Sequence, residues 1–188
     1  MHLRCESKSI SAPDSCGYLG DTNGSCHCTA DQVRRYRNRI SGPLLDRLDL
    51  HVHVPRVEFK SLRKQSGSSE ASKEVAARVM RSRELQVRRQ GGCNADLDNA
   101  AVERHCTPSA AGLRVLERAM QQLGLSARGY HSVLKVARTI ADMGGRPQIE
   151  LAHITEALAL RSLDRQRTVN EPTGNSLTRP ILRCRVRR

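Results

Sequence analysis

Aromatic side chains are almost absent from this chain of 188 residues, which has no tryptophan, one phenylalanine and three tyrosines. A core without large rings must be built from Leu, Val, Ile and Ala, and few aromatic faces remain on which nucleic-acid bases can stack. The composition therefore predicts an aliphatic core, in a chain long enough for one domain or two small ones.

Two further features are missing, and each excludes a class of protein. No apolar run approaches the roughly 20 residues of a membrane-spanning helix, and the opening MHLRCESKSI lacks the apolar segment of a signal peptide, so we expect a cytoplasmic protein. No lysine follows a glycine, so the phosphate-binding motif G-x-x-x-x-G-K-[ST] is absent. Unaided ATP hydrolysis is therefore not expected.

Basic residues and cysteines are, by contrast, abundant. The formal charge of +13 predicts a polyanionic partner such as nucleic acid or nucleotide, because clustered arginines attract anions and release counterions on binding. A solvated basic surface is the alternative. Seven cysteines at irregular spacing argue against a disulfide framework and leave either thiols or a metal site.

Capping residues and glycines divide most of the chain into helices. The pattern predicts helices from Thr29 to Gly42, Ser72 to Gln90, Thr107 to Gly124, Ser126 to Gly144 and Leu151 to Leu163. The fourth has the strongest apolar periodicity and should be the core helix. In the second, Ala76, Met80 and Val87 form the apolar stripe.

The segment RISGPLLDRLDLHV, residues 39–52, combines several strong local signals. Pro43 suits the first position of a short helical turn. Apolar residues then alternate with polar ones from Leu48 to Val54, which predicts a strand with one apolar face. The segment places one arginine, Arg47, between two aspartates, Asp46 and Asp49.

Four stretches, in this order, resemble the C-terminal half of magnesium-chelatase-like AAA+ ATPases of the YifB and ComM type: CGYLGD, RISGPLLDRLDLHV, LSARGYHSVLKVARTIADM and IELAHITEALALRSLDR. The resemblance implies a mainly α fold, in which the truncated end of an α/β AAA+ core, with one or two strands, precedes an α-helical lid domain. It divides the chain into an unmatched lead (1–12), the partial AAA+ core (13–62), the helical lid (63–163) and a basic tail (164–188), which we expect to be disordered.

The family resemblance gives Arg47 a role. In such rings one subunit binds ATP while a neighbour inserts an arginine against the terminal phosphate, and Arg47 is the candidate for this arginine finger in trans. The planar, permanently charged guanidinium suits the task. The alternative is an ion pair within the chain to Asp46 or Asp49. Arg39 is a lesser candidate for the same role.

Arg128 resembles the arginine of the family's lid, which senses ATP bound to the same subunit. It lies in the first turn of a predicted helix, where backbone N–H groups and the positive end of the helix dipole favour phosphate. Without the resemblance Arg128 is only a surface residue. ATP and magnesium are expected as cofactors only when the missing half of the core is supplied.

The cysteine loop is a candidate zinc site made by Asp14, Cys16, Cys26 and Cys28. The family typically shows CPCG here, whereas this chain reads DSCG, with Asp14 in place of the first cysteine. His27 offers a nitrogen ligand. The alternative is a loop of thiols without metal.

Two functions follow from these observations. The first is a C-terminal fragment of an ATP-driven, hexameric ring ATPase or helicase acting on DNA, inactive alone. The second is a non-enzymatic basic helical module that binds nucleic acid through the tail and through arginines of the Ser72–Gln90 helix, namely Arg78, Arg81, Arg83, Arg88 and Arg89. A solvated face is the alternative for those arginines.

Overall fold

The computed structural model describes residues 16, 26–37, 39, 42–52 and 70–161, and this part of the chain is mainly helical, as predicted. The helices are α1 (Ala30–Arg37), α2 (Gly42–Leu45), α3 (Ser72–Gln90), the 3-10 helix η1 (Asn94–Asp96), α4 (Asn99–His105), α5 (Ala110–Leu123), α6 (Ala127–Met143) and α7 (Leu151–Ala159). Within the described ranges, the only strand-like pairing is a parallel bridge between Pro108 and Ile149. None of the described helices is long and apolar enough to cross a membrane.

The helix ends follow local capping chemistry. Gly91 stops α3 in the left-handed conformation (φ 78°), and Gly124 does the same for α5 (φ 59°), which glycine adopts without steric cost. At the start of α6, Ser126 Oγ accepts a hydrogen bond from the N–H of Gly129 at 3.0 Å. The predicted bounds of α3 are therefore confirmed, and so is the cap of α6.

Helix α6 is the centre of the lid, as its periodicity predicted. It contacts α3, η1, α4 and α7. The predicted side chains Val133, Leu134, Ala137 and Ala141 are buried, and those of Tyr130 and Ile140 are half-buried. On α7, Ile154, Ala157 and Leu158 are buried as expected and pack into the same aliphatic cluster.

Helix α4 was not predicted from the sequence. Asp98 caps it by accepting a hydrogen bond from the N–H of Ala101 at 2.7 Å. Its seven residues bury only Val102 completely, so the helix is too short to show a periodic stripe. The following helix, α5, begins after a cap at Ser109 rather than at Thr107.

The strand predicted from Leu48 to Val54 does not form over residues 48–52, and residues 53–54 lie outside the described part. Leu50 and Val52, expected on the apolar face, are 49% and 65% exposed, whereas His51 is buried. A strand needs a neighbouring strand to bond its backbone, and the described residues provide none here. The N–H of His51 instead donates to the carbonyl oxygen of Leu160 at 2.6 Å, next to the end of α7.

The apolar stripe predicted on α3 is also not buried. Ala76, Met80 and Val87 are exposed, while Ser82 and Gln86 are the buried residues of this helix. The reason is a polar contact: Gln86 Oε1 accepts the backbone N–H of Asn94 at 3.0 Å, so α3 presents hydrogen-bonding side chains to the lid. Helix α1 likewise ends at Arg37, earlier than the predicted Gly42.

Candidate functional site

The turn after α2 exposes Arg47. Its backbone N–H donates to the carbonyl oxygen of Leu44 at 3.1 Å, which continues the helical turn begun at Gly42. The Arg47 side chain is exposed and forms no ion pair with any carboxylate of the described residues. The guanidinium is therefore available to an acceptor from outside this part of the chain.

Both aspartates beside Arg47 are engaged by serines of α6 and its cap. Ser126 Oγ donates to Asp46 Oδ1, and Ser132 Oγ donates to Asp49 Oδ1, each at 2.5 Å. A hydroxyl bonded to an ionised carboxylate is a strong, short hydrogen bond. Among the described residues, neither aspartate forms an ion pair with Arg47, so the pairing that was the alternative for Arg47 is not observed.

Arg161 completes this connection from the far end of the lid. Its side chain is buried, with 1% of the residue surface exposed, and Nη1 donates to the carbonyl oxygen of Leu48 at 3.1 Å and lies 3.5 Å from Ser132 Oγ. We call Asp46, Asp49, Ser126, Ser132 and Arg161 the latch. Sequence reasoning missed it. The sequence shows only two aspartates three residues apart in LLDRLDL and two serines six residues apart in LSARGYHS, and these spacings do not indicate that the pairs meet.

Arg128 lies in the first turn of α6 and is exposed. Ser126, whose hydroxyl bonds Asp46, lies two residues before Arg128. The latch therefore places the turn that carries Arg47 next to the start of the helix that carries Arg128. Arg39 is also exposed, and its guanidinium carbon lies 6.0 Å from the centre of the Tyr36 ring, at the limit of a cation–π contact.

The arginines of α3 do not form one uniform basic face. Arg78 makes a bidentate pair with Glu70, at 2.6 and 3.1 Å. Arg89 makes a second bidentate pair with Asp142, at 2.6 and 2.9 Å. Arg81 and Arg88 are exposed and pair with no described carboxylate. Two of the five predicted arginines are therefore held within the chain.

Asp142 is the buried acid that joins α3, η1 and α6. Besides Arg89, it binds Arg138, whose Nε donates to Oδ1 at 3.0 Å, and Asn94, whose Nδ2 donates to Oδ2 at 3.0 Å. Burial alone would raise the pKa of Asp142, but hydrogen bonds from Arg89 and Asn94 and the charges of Arg138 and Arg89 outweigh it and lower the pKa. The acid therefore stays ionised inside the lid.

Three cysteines come together beside α1. The sulfurs of Cys16, Cys26 and Cys28 all lie within 4.8 Å of one another, and those of Cys16 and Cys26 are 3.7 Å apart. No disulfide joins them. His27 is exposed and does not belong to the cluster, and Asp14 lies outside the described residues.

Comparison with known proteins assigns the chain to a family. Residues 8–62 match the model of the magnesium chelatase subunit ChlI, and residues 69–161 match that of the ChlI C-terminal region. The chain belongs to the magnesium-chelatase-like family. The latch joins the two matched regions, because Asp46 and Asp49 lie in the first whereas Ser126, Ser132 and Arg161 lie in the second.

Relatives of this magnesium-chelatase-like chain are considerably longer. It is 42% identical over 148 residues to the competence protein ComM of Haemophilus influenzae, covering 79% of this chain and 28% of the relative. It is 40% identical over 148 residues to YifB of Escherichia coli, which covers 79% of this chain and 29% of YifB. It is 33% identical over 146 residues to Rv2897c of Mycobacterium tuberculosis, which covers 76% of this chain and 29% of that relative. The chain thus spans less than a third of the length of these relatives.

Proposed function

We propose that this chain supplies the arginine-bearing part of a ring ATPase, in which Arg47 acts on ATP bound by a neighbouring subunit. One observation carries the proposal. The two carboxylates beside Arg47 are bonded to Ser126 and Ser132, which anchors the turn, and Arg47 pairs with no carboxylate of the described residues. A buried or paired arginine is poorly placed to cross a subunit boundary, whereas this one is exposed.

Arg128 acts on the nucleotide of its own subunit in this proposal. The start of α6 presents the positive end of the helix dipole, and the Arg128 side chain adds a full charge. ATP and magnesium are bound mainly by the glycine-rich half of the core, which this sequence does not contain. The expected domain division, with a partial core at 13–62 and a lid at 63–163, is part of the same proposal.

The latch gives the two arginines a mechanical connection. Asp46, next to Arg47, is bonded to Ser126, two residues before Arg128. Movement of α6 when Arg128 meets a phosphate would therefore be passed to the turn that carries Arg47. In a ring, this contact would make hydrolysis at one site depend on nucleotide at the next.

A hexameric ring acting on DNA in the cytoplasm is the assembly we propose. The charge of +13 supports a polyanionic substrate, and one relative is a competence protein. Arg39, exposed beside Tyr36, is a lesser candidate for the arginine that contacts ATP across the interface between two subunits. The helicase activity of such a ring is part of the proposal.

The purified chain alone should hydrolyse no ATP, because it has no glycine-lysine sequence to hold the phosphates. Phosphate release is measured for the chain and for an Arg47→Ala variant prepared identically. Both should equal the buffer background. Turnover by the chain that exceeds background and survives Arg47→Ala would contradict the proposed division of labour.

Nucleic-acid binding without catalysis is the second candidate function, favoured by exposed Arg81 and Arg88 on α3. Affinity for DNA should fall steeply with salt and depend little on base order, since the contacts are to phosphate and stacking rings are scarce. Arg81→Ala and Arg88→Ala should each weaken binding and reduce the salt slope by about one.

Fluorescence anisotropy with two duplexes of different sequence tests this expectation at several salt concentrations. Arg118→Ala, which removes an exposed arginine from α5, is the control for a general loss of charge. Equal weakening by all three variants would mean that α3 is only a solvated face. Binding that ignores salt would contradict the electrostatic mechanism.

A further inference from the structure

We propose that Cys16, Cys26 and Cys28 bind one zinc ion as three thiolates. The geometry fits the metal: tetrahedral zinc with Zn–S bonds of about 2.3 Å holds its sulfurs about 3.8 Å apart. The sulfurs of Cys16 and Cys26 are 3.7 Å apart, and Cys28 Sγ lies within 4.8 Å of both. Soft thiolates at this spacing select zinc over magnesium or calcium, which prefer oxygen.

The position of the cluster in the chain indicates a structural ion. Cys28 directly precedes Thr29, whose Oγ1 accepts the N–H of Gln32 at 3.3 Å while Gln32 Oε1 accepts the N–H of Thr29 at 2.8 Å. This capping box begins α1. Zinc bound here would close the chain between Cys16 and Cys26 and fix the entry to the helix.

Helix α1 needs such support because it is short. It has eight residues, and an isolated helix of fewer than about 12 residues is marginal in water. The main helix–helix contacts of the described residues join α3, η1, α4, α5, α6 and α7, and none of them involves α1. A metal ion at its first turn would add stabilisation to this short helix.

Binding converts each thiol to a thiolate, so three protons are released for each zinc ion taken up. The described residues provide three of four tetrahedral ligands, which leaves the fourth position to an oxygen or nitrogen donor. Affinity must then fall as the pH is lowered, because protons compete for the sulfurs.

The metal content of the full chain tests the proposal. Protein made without a histidine tag and purified with a reductant but no chelator should contain about one zinc ion per chain. Cys26→Ser and Cys28→Ser should lose it, whereas Cys93→Ser, a matched change at a half-buried cysteine before η1, should retain it. Equal metal loss in all three variants would overturn the proposal.

Two measurements keep the test valid if a variant folds poorly. Unmutated protein loaded with Co²⁺ should show intense sulfur-to-metal absorption in the near ultraviolet and tetrahedral bands in the visible. Removing zinc should speed amide hydrogen exchange in residues 29–37 and leave that of α6 and α7 unchanged. Absence of zinc together with absence of the Co²⁺ bands, or a Cys16–Cys26 disulfide that persists in protein purified with the reductant, would overturn the site.

Discussion

Replacing Arg47 with alanine should slow ATP hydrolysis by about 10³ to 10⁵-fold in an assembled ring, because an arginine finger neutralises the charge that develops on the transferred phosphoryl group. The ring is made from a chimera in which residues 13–161 of this chain replace the matching segment of full-length Haemophilus influenzae ComM. The rate of the unmutated chimera is the reference. Arg118→Ala, at another exposed arginine, should leave it unchanged.

Mixed rings distinguish the two proposed roles. Arg47→Ala subunits should still bind nucleotide in their own pockets but should not support hydrolysis by the neighbour that faces them. Arg128→Ala should instead weaken the pocket of the subunit that carries it. Hydrolysis at the reference rate by Arg47→Ala rings would show that the 39–52 segment serves packing alone. A chimera whose Arg128→Ala defect appears only in its neighbours would reverse the assignments.

Replacing Asp142 with alanine should lower the free energy of unfolding of the lid by about 3 to 5 kcal/mol, a factor of about 10² to more than 10³ in the folded-to-unfolded ratio. The change would leave buried Arg138, 3% exposed, and half-buried Arg89 without their carboxylate. It would also remove the contact that holds Asn94 and α3 against α6. Urea unfolding of the full chain, followed by circular dichroism, measures the effect.

Glu117→Ala is the matched control, since it removes an exposed acid from α5 and should change stability by no more than about 0.5 kcal/mol. A loss of less than about 1 kcal/mol in Asp142→Ala would mean that other contacts of α3, such as the hydrogen bond from the N–H of Asn94 to Gln86, hold the helix in place.

The contribution of Asp142 to the free energy of unfolding should decrease in acid. The pKa of Asp142 in the folded chain lies below its ordinary value of 3.8, because Arg89, Asn94 and Arg138 stabilise the carboxylate more than burial disfavours it. The stabilisation is therefore complete above pH 3.8 and is lost as the pH falls through the lower, folded-state value. Asp142→Asn should be less stable at neutral pH and should show less additional loss in acid.

The sequence by itself determined both ends of α3, the end of α5 and the start of α6, but not the start of α5 or the end of α7, which lies at Ala159 rather than the predicted Leu163. Ser126 caps α6, and Gly91 and Gly124 end α3 and α5, because capping acts between residues no more than about four positions apart. The apolar period of α6 also identified its buried face correctly. Local chemistry and a single dominant stripe are enough for such assignments.

Only the tertiary structure decided which of these surfaces meet and which residues contact the candidate site. Local alternation predicted a strand at residues 48–54, but the described backbone at 48–52 bonds to Arg161 and Leu160, more than one hundred residues away. The stripe of Ala76, Met80 and Val87 stayed exposed because α3 meets Asp142 through Arg89 instead. The turn that carries Arg47 is anchored by Ser126 and Ser132, about eighty residues further along. Such contacts depend on how distant elements fold together, which no short-range pattern contains.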